Sequence, residues 1–165
     1  MRVLGIDPGT AACGYGIVHA SGNRLRAVGH GWWKTPAGQD IALRVKRIHD
    51  EVAALIAEHE PEAVAIEESY VGADARIALS VGQARGAVLV ACAAAEVPCR
   101  EYPPATVKQA VCGYGRADKA QVGRMVRTVL ALPEVPEPSH AADALAVAIC
   151  HALASPLAAL AGAAR

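Results

Sequence analysis

Apolar and polar residues alternate along the chain in a pattern that predicts strands first and helices later. The first apolar run, residues 2–7, ends at a Pro8-Gly9 turn. This pattern predicts a buried strand with Asp7 at its carboxyl end. Residues 14–20 and 25–35 predict two more strands, joined by a Ser21-Gly22-Asn23 hairpin turn. The chain therefore opens as an antiparallel meander.

Helical spacing of the apolar residues follows the meander. A helix capped by Asp40 extends to about Glu60, and the short apolar run 63–66 then delivers Glu67 at the end of a fourth strand. A strand-helix-strand crossover makes the first and fourth strands parallel. We therefore expect Asp7 and Glu67 to lie at the same edge of the sheet.

The second half of the chain is mostly helical. Residues 73–96 predict a helix with almost no polar face, which must be covered on both sides by the core or by a second copy of the chain. The remaining elements are a fifth strand at 98–102, helices at 105–111 and 119–132, and a last helix from Ser139 to about Ala154. The predicted fold is α/β, with a five-stranded mixed sheet flanked by helices.

Composition indicates one globular domain. Hydrophobic residues make up 53% of the 165 residues and charged residues 19%, as in ordinary folded domains. We assign residues 1–155 to a single domain and expect 156–165 to be a flexible tail. The longest apolar stretch, 86–95, has half of the roughly 20 residues that a membrane span needs.

Compartment is inferred from the N-terminus and the cysteines. The N-terminus lacks the features of a signal peptide. The five cysteines show no C-x-x-C spacing, which argues against a zinc site and against a secreted disulfide framework. We therefore expect a cytoplasmic protein with no membrane partner.

Charge is unevenly distributed although the formal net charge is zero. Between residues 105 and 130 Asp118 is the one acidic residue among five basic residues: Lys108, Arg116, Lys119, Arg124 and Arg127. A local basic patch suited to an anionic partner is therefore compatible with the neutral total.

Four residues with metal-binding chemistry are expected to converge. His140 and Asp143 project from one face of the last helix, and docking of that helix on the sheet brings them to Asp7 and Glu67. The sequence shows no basic partner for these acids, so divalent cations are the expected counter-charge. Oxygen and imidazole ligands suit Mg²⁺ or Mn²⁺, and a pair of such ions serves in-line displacement at phosphorus.

Each of these residues also has an ordinary structural explanation. Asp7 can be part of a turn only, Glu67 with Glu68 can be a solvated strand end, and His140 can be a polar residue of a helix's first turn. Their joint placement at strand ends and at a helix start favours the site.

Six segments together resemble the RuvC family of bacterial Holliday-junction resolvases, which are RNase H-like nucleases. They extend in order over residues 1 to about 155: Gly5-Ile6-Asp7-Pro8-Gly9-Thr10, Ala65-Ile66-Glu67, Gly82-Gln83-Ala84-Arg85-Gly86, Val107-Lys108-Gln109, Asp118-Lys119-Ala120-Gln121-Val122 and Ala141-Ala142-Asp143-Ala144-Leu145-Ala146. The resemblance implies an RNase H-like fold, a homodimer, Mg²⁺-dependent nicking of a four-way DNA junction, and the RuvAB branch-migration complex as a partner.

The resemblance also implies roles for individual residues. The family's acids fall on Asp7, Glu67 and Asp143, whereas many members have an aspartate in place of His140. Tyr70 takes the position of an aromatic residue that stacks on opened bases. Lys108 and Lys119 match lysines near the cleaved strand, and Arg76 and Arg116 complete the expected DNA-binding set. Asp7, Glu67, His140 and Asp143 are the expected catalytic residues and the ligands of two ions, Mg²⁺ or Mn²⁺.

Two other functions fit part of this pattern. The segment Asp7-Pro8-Gly9-Thr10 also resembles the phosphate loop of the actin and sugar-kinase type, although those proteins place a nucleotide between two such lobes. A junction-binding module without catalytic activity is the second alternative. Nucleotide binding favours the first alternative, and junction binding without nicking favours the second.

Overall fold

The computed structural model describes residues 1–36, 38–68 and 75–163. The strands are β1 (Arg2–Asp7), β2 (Ala12–Ser21), β3 (Arg24–Lys34), β4 (Ala63–Glu67) and β5 (Cys99–Tyr102). The helices are α1 (Ile41–His59), α2 (Ala75–Ala94), α3 (Pro104–Cys112), α4 (Lys119–Val129) and α5 (Ser139–Ala163).

The five strands form one mixed sheet in the order β3-β2-β1-β4-β5. Strands β1, β2 and β3 are antiparallel neighbours, whereas β4 pairs in parallel with both β1 and β5. The predicted meander followed by parallel strands is thus confirmed. Because β1 and β4 are adjacent and parallel, their carboxyl ends lie side by side at one rim of the sheet.

Each face of the sheet carries its own hydrophobic cluster. Alternate residues of β1 divide between the two faces: Val3 packs with α3, α4 and α5, whereas Leu4 packs with α1 and α2. Helix α5 lies so close to β1 that a Cβ atom on Gly5 would be 2.0 Å from the Ala144 carbonyl oxygen. The missing side chain at Gly5 therefore determines how near α5 comes to the rim.

Helix ends follow the polar residues of the sequence. The Asp40 side chain accepts a hydrogen bond from the Ala42 amide and starts α1, as predicted. Asp118 and Gln121 form a reciprocal capping box at the start of α4, which satisfies two amides that a helix start leaves unpaired. This box fixes the first turn of α4, where Lys119 lies.

Helix α5 is longer than expected. Helix α5 extends to Ala163 and does not end near Ala154, because residues 157–163 contain only strong helix formers and one glycine.

The expectation that no segment is long and apolar enough for a membrane span was wrong. By length and composition α2 could cross a membrane, with 20 residues and a mean hydropathy of 1.6. The prediction had counted only uninterrupted apolar residues, whereas α2 includes arginines. The criterion uses length and composition alone, and the buried residues of α2 pack in one hydrophobic cluster with α1 and the sheet.

A buried histidine on α5 makes stability depend on pH. His151 is 9% exposed, and its Nδ1 lies 2.9 Å from the Tyr102 hydroxyl. Burial, with a smaller effect from Arg100, lowers the pKa of His151 below 6.5. The unfolded chain therefore binds more protons, so the free energy of unfolding should fall as pH drops below about 6.5. Urea denaturation at several pH values measures this fall in the free energy of unfolding. The variant His151→Gln should show a smaller fall, whereas the control His30→Gln, which changes an exposed histidine, should show the same fall as the original chain. Equal pH dependence in His151→Gln and the original chain would contradict the assignment.

Candidate active site

The carboxyl ends of β1 and β4 place two acids next to each other. Ile6 is paired with Ile66 in the parallel register, so Asp7 and Glu67 follow at equivalent positions. Both strands are buried up to these acids, which are themselves partly exposed. The rim predicted from the sequence is therefore the place where the two carboxylates meet.

The first turn of α5 covers this rim. Gly14 of β2 is paired with Asp7, and a Cβ atom at Gly14 would be 2.0 Å from the His140 carbonyl oxygen. This contact brings the His140 ring to Asp7, with Nδ1 2.6 Å from Oδ2. Asp143, one turn later, lies on the same side of the helix, as the spacing predicted.

The four residues line one pocket of about 390 Å³. Its wall also contains both lysines that the family resemblance had placed near DNA. The lining residues are Asp7, Glu67, Pro104, Val107, Lys108, Lys119, Val122, His140, Asp143 and Ala146. Acids and lysines from five elements thus face the same space.

Burial and neighbouring charges shift the pKa values of three residues in the pocket. Burial, reinforced by the charges of Asp143 and Asp7, raises the pKa of Glu67 to about 7. Burial also raises the pKa of Asp143, although Lys119 opposes the shift. The hydrogen bond to Asp7 raises the pKa of His140. Negative charge at this rim is therefore only partly compensated by the protein.

The expectation that these acids have no basic partner was wrong. Lys119 Nζ lies 3.1 Å from Asp143 Oδ2, and this hydrogen bond raises the pKa of the lysine. Lys108 lines the same pocket. Lysine side chains are long enough to reach an acid from a different helix, which spacing along the sequence does not reveal. The protein thus supplies some of the counter-charge that we had assigned wholly to metal ions.

The carboxylates and the imidazole of the pocket are suitable ligands for hard divalent cations, but they are not arranged around one ion position. Among residues 1–36, 38–68 and 75–163, no three His, Cys, Asp or Glu side chains are arranged to hold one ion. Asp7 is hydrogen-bonded to His140 and Asp143 to Lys119, whereas the Glu67 side chain makes no hydrogen bond within this described part. Small side-chain rotations that release these contacts would present carboxylate oxygens to a cation.

A polar network behind Asp7 was missed by the sequence analysis. The Thr10 carbonyl accepts hydrogen bonds from the Thr35 hydroxyl and from Arg44 Nε. The hydroxyls of Thr10 and Ser80 form a hydrogen bond with each other. Thr10 and Thr35 are 5% and 3% exposed. These contacts hold the turn after Asp7 against α1 and α2. Thr10 next to a turn was a signal in the sequence, but its partners are 25 to 70 positions away.

Arg76 and Arg116, two other predicted DNA-binding residues, lie outside the pocket. Arg76 is exposed in the first turn of α2, and Arg116 is exposed between α3 and α4. Tyr70 lies outside the described residues. Glu68, next to the site, is exposed at the end of β4 and donates its amide to the Tyr102 carbonyl.

Gly14 tests how strictly the site depends on the approach of α5. We expect Gly14→Ala to lower the free energy of unfolding by about 1–3 kcal/mol or more, because the new methyl group overlaps the His140 backbone. Chemical denaturation measures the loss. In the control Gly29→Ala the methyl group would be 3.7 Å from Ile17, an ordinary contact, so the change should stay below about 1 kcal/mol. Equal stability of the two variants would contradict the described approach.

Comparison with known proteins identifies the family. The family model described as RuvC, crossover junction endodeoxyribonuclease, matches residues 3–151. The relative from Heliobacterium modesticaldum is 53% identical over 150 residues, covering 91% of this chain and 93% of its own. The relative from Desulfitobacterium hafniense is 51% identical over 152 residues and 92% of each chain. Both relatives carry the name crossover junction endodeoxyribonuclease RuvC.

Solved structures agree with these sequence matches. The structure of Thermus thermophilus RuvC superposes with a TM-score of 0.89 at 43% identity, covering 96% of this chain and 97% of its own. A second structure, of T. thermophilus RuvC in complex with a Holliday junction substrate, gives a TM-score of 0.91 with 96% of each chain covered. The RNase H-like fold is confirmed, and the nuclease interpretation prevails over the nucleotide-binding alternative. The chain belongs to the RuvC family of crossover junction endodeoxyribonucleases.

Proposed function

We propose that this endodeoxyribonuclease resolves four-way DNA junctions by two symmetric nicks, with metal-dependent hydrolysis at the pocket of Asp7 and Glu67. The observation that carries the proposal is the convergence of three acids, one histidine and two lysines in a single pocket. Acids of this kind suit divalent cations, and lysines suit phosphates. The family relationship supplies the DNA junction as the substrate.

Asp7, Glu67, Asp143 and His140 are the proposed ligands of two divalent ions, Mg²⁺ or Mn²⁺. Bound ions of this kind activate water and stabilise the leaving oxygen during displacement at phosphorus. Burial raises the pKa of Glu67 and of Asp143, and a bound cation would favour their charged forms. His140 either completes the ligand set or accepts a proton from the attacking water.

Lys108 and Lys119 are proposed to hold the phosphate backbone over the acids. Both side chains line the pocket, and Lys119 already contacts Asp143. If Asp143 served as a metal ligand, the ammonium group of Lys119 would be free to donate to a phosphate oxygen. Arg76 and Arg116 are proposed DNA contacts outside the pocket, and Tyr70 is proposed as a further DNA contact from the family resemblance. The RuvAB complex and a cytoplasmic location are likewise proposed from that resemblance.

A homodimer is proposed to present two such pockets to the junction, because two related phosphates are best reached by two-fold symmetry. Three apolar side chains of α2 support a contact on this helix: Ile77, Leu79 and Val90 are 61%, 65% and 59% exposed. Val88, in contrast, is fully buried in the protomer core. Substitution of Val88 would therefore test stability and not association.

Leu79→Glu should convert the dimer to a monomer, because it places a charge in the proposed apolar contact. Light scattering should then report the 17.0 kDa mass of one chain, whereas the control Leu153→Glu, at a 44% exposed position on α5, should stay dimeric. Paired nicks in one junction should become independent single nicks. A Leu79→Glu protein that remains dimeric would contradict α2 as the interface.

The proposed function is tested by incubation with a synthetic four-way junction, the corresponding duplex and a single strand. We expect two symmetric nicks in the junction with Mg²⁺ or Mn²⁺, and none with EDTA or in the other two DNAs. Cutting in EDTA would contradict the metal-dependent mechanism. Binding of the junction without nicking in either metal would identify a catalytically inactive binding module.

A further inference from the structure

The edge strand β3 carries an exposed tryptophan beside the pocket. Trp32 is 42% exposed, whereas its neighbour Trp33 is 8% exposed and packs against Tyr15 with ring centroids 5.0 Å apart. Tryptophan offers a large flat surface and is enriched at protein interfaces. Trp32 is not a member of either hydrophobic cluster of the sheet.

Strand register places Trp32 in the same row of the sheet as Asp7. Asp7 is paired with Gly14, and Gly14 is paired with Trp32. Paired residues point to the same face, and strands are about 4.8 Å apart, so Trp32 lies roughly 10 Å from Asp7. The His140 backbone lies over Gly14 between them. Trp32 therefore flanks the pocket on the β3 side of α5.

Two polar residues of β3, His30 and Lys34, lie on the same face of the strand as Trp32. His30, Trp32 and Lys34 are all exposed and alternate along the strand, which puts their side chains on one face. His30 is paired with Gly16, over which Leu145 of α5 lies, so this is the face that carries α5. We call these three residues the β3 strip.

Charge makes the β3 strip suitable for an anionic polymer. Strand β3 has no acidic residue. Within the part of the chain that the structure describes, the side chains of His30 and Lys34 make no hydrogen bond or ion pair. A cation and an aromatic ring at neighbouring positions are the groups by which proteins hold a nucleic-acid strand.

We propose that the β3 strip is a second DNA-contact surface, on which the junction arm leaving the pocket away from Lys108 and Lys119 lies against Trp32 and Lys34. Trp32 contacts an exposed base or sugar, and Lys34 contacts a phosphate. The strip lies across the first turn of α5 from the pocket, since the row containing Asp7 ends at Trp32 and the His140 backbone lies over Gly14 between them. This inference rests on the proposed junction-resolving function and adds residues that the family motifs do not include.

Affinity for a synthetic four-way junction in EDTA tests the β3 strip. Trp32→Ala should weaken binding about tenfold, as expected for loss of one stacking contact, and Trp32→Tyr should stay within about twofold of the original chain because the ring is kept. Trp32→Leu preserves packing but not stacking and should behave like Trp32→Ala. Leu153→Ala, about 20 Å away along α5 from His140, is the control.

Salt dependence and fluorescence give independent measurements. Lys34→Gln should reduce the slope of log K against log salt by about one, the value for one phosphate contact. In a Trp33→Phe variant Trp32 is the one remaining tryptophan, and its fluorescence should be quenched when the junction is added.

The outcomes separate this inference from the proposed function. If the original chain binds and nicks the junction while all Trp32 and Lys34 variants match it and the Trp32 fluorescence is unchanged, the β3 strip is not a DNA contact. If the original chain does not bind the junction, the proposed function fails and the inference fails with it.

Discussion

Asp7→Asn should reduce junction cutting by on the order of a thousandfold, because the amide keeps the size of the side chain but removes the charge that would hold a metal ion. Asp7 is the acid at which β1 ends, and it contacts His140 directly. One substitution therefore changes both a proposed ligand and the partner of His140. Rates of nicking at saturating enzyme in Mg²⁺ and in Mn²⁺ measure the loss.

Junction affinity in Asp7→Asn should remain within about threefold of the original chain, since the pocket lysines proposed to contact phosphates are unchanged. The matched control is Asp50→Asn, which changes an exposed acid on α1 and should not affect nicking. Equal loss of binding and cutting would show that Asp7 acts on the structure and not on the chemistry.

Lys119→Gln should reduce cutting by about a hundredfold, as expected when one positively charged donor near a reacting phosphate is removed. Lys119 Nζ is 3.1 Å from Asp143, so its charge lies within the pocket. Lys46→Gln, which removes an exposed lysine paired with Asp50 on α1, is the control. Its cutting rate should be unchanged.

Comparison of the substrate dependence distinguishes two roles for Lys119. A lysine that holds the reacting phosphate affects the rate at saturating junction, whereas one that only attracts DNA affects the concentration needed for half-maximal rate. We expect the first effect to dominate because Lys119 is close to Asp143. Unchanged cutting in Lys119→Gln at all junction concentrations would exclude this lysine from the reaction.

The sequence predicted the rim of the site well because strand ends and crossover connections follow local rules. Asp7 ends an apolar run before a turn, and Glu67 ends another after a helix. A right-handed crossover then leaves little freedom in how the two strands are arranged. His140 and Asp143 were assigned together because helical spacing determines which residues share a face.

The counter-charges and supports of the site could not be predicted in the same way. Lys119 reaches Asp143 from α4, a contact between two helices that depends on their packing. The network of Thr10, Thr35 and Arg44 joins three segments by one buried and one partly buried hydrogen bond. The position of Trp32 beside the site follows only from the strand register, which places it in the same row of the sheet as Asp7. All these contacts are tertiary, and no local pattern in the sequence specifies them.

Anomalous diffraction from crystals of the chain with Mn²⁺ and a four-way junction tests the central claim most directly, with Asp7→Asn crystals as the comparison. We expect two Mn²⁺ peaks about 4 Å apart, in contact with the carboxylates of Asp7, Glu67 and Asp143, and loss of at least one peak in Asp7→Asn. Manganese peaks at other positions only, with Lys119 still on Asp143 and His140 still on Asp7, would contradict the assignment of this pocket as the catalytic centre.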